Sequence, residues 1–215
     1  MGTGTIDFHG LHQQTRYHPC QACKINGHRA APEHMLSCAS TRIRRHDAVV
    51  IAIQHAVRAA GVKSHYEYHT GPSQRIDLLL QHPDPPSVNQ TKMMIDVTIL
   101  ESYTYKTDAL PNTNLKFKVA NANKIQKYKD VALHHNAKIK PLAFTTFGGM
   151  SYQTREFFKE LQQMAIITGQ YYPDIDRSFK VIWQENTAFA LARATTNCAC
   201  DAASTHRTRH DQHSN

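Results

Sequence analysis

The sequence predicts an α/β fold in which a mixed open sheet is flanked by helices and preceded by a small cysteine-bearing segment. Three observations carry that expectation. The hydrophobic period shifts from helical spacing to near-continuous apolar runs and back again. The resulting order is helix, three strands, helix, strand, then helices, with no internal repeat, and such faces are buried by layering helices on a sheet. Third, three of the five cysteines fall between Cys20 and Cys38, ahead of the first periodic segment. A chain of 215 residues, 40% of them hydrophobic, supports one sizeable core and not two.

Taken in order, residues 1–19 are polar and rich in Gly, His and Thr, and read as a disordered N-terminus. Residues 20–40 are too few to hold a core. Residues 41–195 form the main domain. Its first helix runs over 42–60, with Ile43, Val50, Ile53 and Val57 at helical spacing and Gly61 as its stop. Strands are expected at His65–His69, at Arg75–Leu80 (RIDLLL) and, after a proline-rich turn, at Met93–Leu100 (MMIDVTIL). An irregular loop over 101–115 leads to a helix from about Lys116 to His135, with Phe117, Ala120, Ile125 and Val131 facing inward. Ile139–Thr145 reads as a strand ended by Gly148 and Gly149, and helices follow at Tyr152–Thr168 and Asp174–Arg193. Residues 196–215 read as a flexible polar tail.

Composition narrows the function. No stretch reaches the ~18 consecutive apolar residues of a membrane span, and Met1–Gly10 lacks the basic and apolar regions of a secretory signal, so the expectation is a soluble intracellular protein without a membrane partner. Lys and Arg outnumber Asp and Glu by 25 to 17, a net charge of +8. That surplus favours a polyanion, because neutralising phosphates releases condensed counterions.

Cys20 and Cys23 form a C-x2-C pair, and His34 and Cys38 extend it to C-x2-C-x10-H-x3-C. The two-residue gap makes a tight turn with both thiolates pointing one way. The three-residue gap sets His34 and Cys38 one helical turn apart, so four ligands can converge on a tetrahedral Zn(II). His28 competes as the fourth ligand, but no cysteine stands four residues after it, which favours His34. Four protein ligands leave no position for water, so this zinc would be structural. Cys198, Cys200, His206 and His210 make a poorer second set, since a single residue separates the thiols and no apolar anchor surrounds them.

Two aspartates sit inside apolar strands, Asp77 in RIDLLL and Asp96 in MMIDVTIL. A carboxylate there is costly unless paired, hydrogen-bonded or bound to a cation. If the strands form a hairpin, the two carboxylates can converge near one end of the sheet. Two carboxylates, with water and substrate phosphate completing the shell, are the usual protein share of a Mg(II) site. In NANKIQKYKD, Lys124, Lys127 and Tyr128 share one helical face with Asn121. A lysine there could orient the attacking water or stabilise charge on a phosphodiester in transition. Either Lys124 or Lys127 can take that role.

The array C-x2-C, H-x3-C, R-R-H, R-I-D, I-D-V-T and K-I-Q-K-Y resembles the restriction-like endonuclease of site-specific non-LTR retrotransposons, over roughly Cys20 to Gly149. In that family a CCHC zinc motif precedes a PD-(D/E)XK nuclease at the C-terminal end of a reverse-transcriptase polyprotein. The resemblance implies a restriction-endonuclease-like mixed open sheet flanked by helices. It also implies a Mg-dependent endonuclease that nicks double-stranded target DNA for target-primed reverse transcription, acting in the nucleus, with element RNA as a further partner. Asp77 matches the aspartate of the R/K-P-D element and Asp96 the second acidic position. The catalytic lysine is displaced to the later helix, at Lys124 or Lys127, with Tyr128 in the K-Y position. Arg45 and His46 fall in an R-x-H-type region, expected to contact DNA or to dock the helix. Two features depart from the pattern: Ile76 replaces the proline, and the gap from Asp77 to Asp96 is long. A literal Pro-Asp occurs at Pro83–Asp84, but in the turn, where no strand would hold the carboxylate. Glu67 is an additional acidic candidate. No Tyr/Phe-x-Asp-Asp polymerase signature occurs, so these residues are not a reverse transcriptase.

The rival expectation is a zinc-containing module, non-catalytic or decayed, that grips nucleic acid through phosphates. A zinc hydrolase is disfavoured, since the four-ligand zinc is coordinatively full and no HExxH helix exists.

Overall fold

The computed structural model describes residues 38–71, 74–81, 92–101, 112–173 and 177–210, with side chains described as far as 197. The expected zinc ligands Cys20, Cys23 and His34 lie outside these residues, as does Asp84. Chain contacts define two compact units: His46–Ala192, and a second made of the residues before and after it.

Helix α1 spans Ala39–Ala59, β1 Lys63–Gly71, β2 Gln74–Gln81, β3 Lys92–Leu100, α2 Thr113–His134, β4 Ala137–Thr145, α3 Tyr152–Ile167 and α4 Phe179–His210. The four strands form one mixed sheet in the order β1-β2-β3-β4. The first three are an antiparallel meander, and β4 lies parallel to β3, with α2 as the crossover between them. The expected order of elements is therefore the observed one.

Both faces of the sheet are covered, which is why β2 and β3 read as nearly unbroken apolar runs. On one face Leu78, Leu80, Ile95, Val97, Leu142 and Phe144 join α1 and α3 in the larger core. On the other, Leu79 and Met94 meet Tyr128 and Ala132 of α2. The alternation along β3 places Asp96 and Thr98 on the α2 side, between residues that serve the larger core.

Helix ends follow local chemistry. Asn112 and Ser151 cap α2 and α3 by accepting from the backbone N–H of Leu115 and Thr154, both at 3.1 Å. Helix α1 ends in a Schellman turn: Gly61, at φ +70°, donates to Arg58 O, and Val62 donates to Val57 O. Helix α3 ends the same way at Gly169, and Thr168 Oγ1 donates to Ala60 O at 2.7 Å, tying the two helix ends together.

Three expectations differ from the structure. Ile43, counted in the apolar spacing of the first helix, is 59% exposed, and Ile125, assigned to an inner face, is 49% exposed. On α2 the buried positions are Phe117, Asn121, Tyr128 and Ala132, because the face turned to the sheet meets a carboxylate and is partly polar. Helix α4 runs on to His210, well past Arg193, since residues 194–210 hold several alanines and neither glycine nor proline to stop them.

In the unit that opens the described chain, Cys38 is buried, and its carbonyl accepts from Arg42 N and Thr41 Oγ1, both at 2.9 Å. Arg45 is 1% exposed.

Candidate active site

The β2–β3 ladder runs from Gln81↔Lys92 to Leu78↔Ile95. Asp77 and Asp96 are the next residue on each strand, so the ladder stops where the two carboxylates begin. The backbone N–H of Val97 is taken by Asp77 Oδ2 at 2.6 Å, so a side chain here does what strand backbone does elsewhere. Across β1, the register pairs Tyr66 with Leu78 and Tyr68 with Ile76, leaving Glu67 opposite Asp77. Glu67 holds φ at +49°, a left-handed conformation that costs a residue with a Cβ about 1 kcal/mol. Its carboxylate is paired with Arg75 at 2.9 Å.

Each aspartate has its own cation. His46 Nε2, from α1, lies 3.2 Å from Asp77 Oδ2, and the other ring nitrogen lies 3.2 Å from Asp47 Oδ1. The His46 pKa rises to about 8. Burial pulls it down most strongly, but hydrogen bonds to and charges of Asp77 and Asp47 together outweigh burial. Lys124 Nζ, from α2, lies 2.7 Å from Asp96 Oδ2. That contact is Coulombic, without hydrogen-bond alignment, and Asp96 Oδ2 is buried with no hydrogen bond among the described residues.

Lys127 and Tyr128 serve a different contact. Lys127 Nζ donates to Tyr128 Oη at 2.9 Å and sits 4.5 Å from the ring centroid. Tyr128 Oη donates to Arg75 O at 2.9 Å, pinning α2 to the start of β2. Burial first, then the charge and close side-chain approach of the Asp96 carboxylate, and then the charge of Asp77, hold the Tyr128 phenol above its usual pKa, with Arg75 partly offsetting them.

Asp77, Asp96, Lys124, Lys127, Tyr128 and His46 thus gather at the broken end of one ladder. Arg45 is buried in the other unit. The partners of the aspartates arrive by tertiary approach, since no local rule joins His46 to Asp77 across 31 positions. The only local signal was Asp47, adjacent to His46.

Two features fit a divalent ion at Asp77 and Asp96. Carboxylates are the ligands a hard cation takes, and Asp77 and Asp96 adjoin at the end of the ladder, the Asp96 Oδ2 already facing Lys124 Nζ. Among the described residues no group of three or more His, Cys, Asp or Glu forms a metal-holding set, so water and substrate oxygens would have to complete the shell. No helix among the described residues is long and apolar enough to cross a membrane. The chain matches no family model, and no curated protein matches it.

Proposed function

We propose that this chain is a divalent-metal-dependent DNA endonuclease with a restriction-endonuclease-like core, and that it nicks target DNA during integration of a retroelement. The observation that carries the reading is the juxtaposition of Asp77 and Asp96 just beyond the last pair of the β2–β3 ladder, with Lys124 reaching Asp96 from the crossover helix. The meander joined to a parallel fourth strand is a mixed open sheet of the kind the resemblance implies.

Asp77 and Asp96 would hold Mg(II), which when bound supplies a water acidified for attack and neutralises charge on the phosphodiester. The remaining roles belong to protein groups. Lys124 carries positive charge at the carboxylate pair, suited to orient a nucleophilic water or to stabilise charge building on phosphate oxygens. His46 and the Val97 amide fix the Asp77 carboxylate in one orientation. Lys127 and Tyr128 anchor the helix that carries Lys124. The basic surface would draw in double-stranded DNA, and the element's RNA is a second polyanion it suits. A structural zinc on Cys20, Cys23, His34 and Cys38, and action in the nucleus, belong to the same proposal.

One observation favours the alternative, a binding module that has lost catalysis. Both carboxylates already face a cationic side chain, Asp77 with His46 and Asp96 with Lys124, so the site is charge-balanced without metal. Incubation with supercoiled plasmid, in Mg(II) or in EDTA, separates the two. The nuclease reading expects Mg-dependent nicking that Asp77→Asn and Asp96→Asn each abolish, with the fold retained. Cleavage that survives both substitutions sinks the site assignment, and DNA binding without nicking on supercoiled or candidate target DNA supports the module.

A further inference from the structure

One cluster of rings has no role in that scheme. His65 and Tyr68 of β1 lie with ring centroids 6.3 Å apart, Tyr68 meets His135 at 5.9 Å, and His135 meets His134 at 5.2 Å. The four rings form a continuous row from β1 to the end of α2. His65 and His134 are exposed, and Tyr68 and His135 are half-buried, so the row is open to solvent.

Strain at Glu67 assembles it. In a regular strand His65 and Tyr68, three residues apart, would face opposite sides of the sheet. The left-handed Glu67, at φ +49°, resets the alternation between them. His65 pairs with Leu79 and Tyr68 with Ile76, and Leu79 and Ile76 share the smaller core under α2. Both rings therefore stand on the face that α2 covers, beside the carboxylates. Backbone strain kept next to a site is a pointer to use. Strand β1 lies two strand spacings, about 10 Å, from β3 and Asp96.

Lysines flank the row. Lys63 is exposed and, two residues before His65, shares its face. Lys127 is exposed, and its ammonium sits at Tyr128 Oη, in the core against which Tyr68 packs. The adjacent Glu67 carboxylate is held by Arg75. Imidazoles, a phenol and ammonium groups offer little to an apolar partner. Rings interleaved with cations suit a polyanion whose flat bases can stack, and only an unpaired strand bares those faces.

We propose that His65, Tyr68, His135 and His134, with Lys63 and Lys127, form a track for an unpaired nucleic-acid strand beside the carboxylate pair. Bases stack on the rings and phosphates meet the lysines. The track deepens the nuclease reading and rests on it for its neighbour, but not for its chemistry.

The test uses the full chain in EDTA, where no cleavage interferes, with a short oligothymidylate, an oligouridylate and a short DNA duplex as probes. His65→Ala and Tyr68→Leu are each expected to weaken single-strand binding about five- to a hundredfold, the range of base–aromatic stacking, and to change duplex binding less than about twofold. His65→Phe, which keeps a ring, should restore the affinity that His65→Ala loses. A loss confined to the DNA or the RNA strand supports the track and names its occupant. If Tyr68→Leu does not fold, the exposed His65 pair of variants decides alone. Single-strand affinity indifferent to these changes, or an equal loss on duplex, overturns the proposal, as does a wild type that binds no single strand. Plasmid nicking is scored separately. Nicking without ring-dependent binding removes the track only, whereas ring-dependent binding without nicking removes the nuclease and keeps the track.

Discussion

Replacing Lys124 by Met removes the ammonium from Asp96 and leaves most of the side-chain volume. At 2.7 Å the pair attracts by about 6 kcal/mol with an effective dielectric of about 20. Much of that offsets the cost of bringing the charges out of water. What remains after deletion is a carboxylate that is 6% exposed and has no hydrogen bond on Oδ2. Removing one partner of a buried pair costs about 3–5 kcal/mol, and the 29% exposure of Lys124 places this one near about 3 kcal/mol. Lys127→Met should cost less, about 1 kcal/mol, since that ammonium meets only the Tyr128 hydroxyl and ring. The assay is a double-mutant cycle by urea unfolding in EDTA, using Lys124→Met, Asp96→Asn and the pair. The double variant should recover about 2 kcal/mol or more relative to the sum of the singles. Additivity within about 0.5 kcal/mol would refute the ion pair. With Mg(II) restored, Lys124→Met should bind metal at least as tightly, having lost the competing cation, yet nick slowly; normal nicking by Lys124→Met and loss in Lys127→Met would reverse the roles of the two lysines.

Two further outcomes follow from the same geometry. Because the His46 pKa is raised from 6.5 to about 8, its pairing stabilises the fold fully below pH 6.5 and the gain fades as pH climbs through about 8. In EDTA, the wild type should exceed His46→Gln by about 1–2 kcal/mol more at pH 6 than at pH 9, partial exposure trimming the value, and a difference that does not change with pH would dismiss the pairing. Gly61→Ala should cost about 2 kcal/mol or more in urea unfolding, since φ is +70° and the added Cβ would lie 2.9 Å from Thr168 Oγ1; a loss under about 0.5 kcal/mol would mean that the linked helix ends are loose.

Strands β2 and β3 were legible because burial on both faces wrote them as apolar runs, and the same runs made Asp77 and Asp96 conspicuous. Their convergence followed from hairpin pairing alone. What the sequence hid was hidden by the site. Ile125 looked like an inward residue, but a helix serving a carboxylate turns Asn121, Lys124 and Tyr128 to the sheet and leaves the isoleucine outside. The same polar face concealed the division of labour between Lys124 and Lys127, which depends on a fraction of a turn. His46 was picked from its neighbourhood, yet its partner comes from tertiary approach of α1 to β2, which no local spacing encodes.

Asp77 has a second employment. By accepting the Val97 amide it is a rung of the sheet as well as a charge, and folding alone is enough to keep it. The Lys124–Asp96 pair has no such tie, and two apolar residues of similar size could replace it together without loss of stability. In a lineage released from selection for cutting, the pair should therefore drift first and Asp77 last. A surviving Asp77 would then record the architecture of an ancestor and carry no information on whether the chain still cuts.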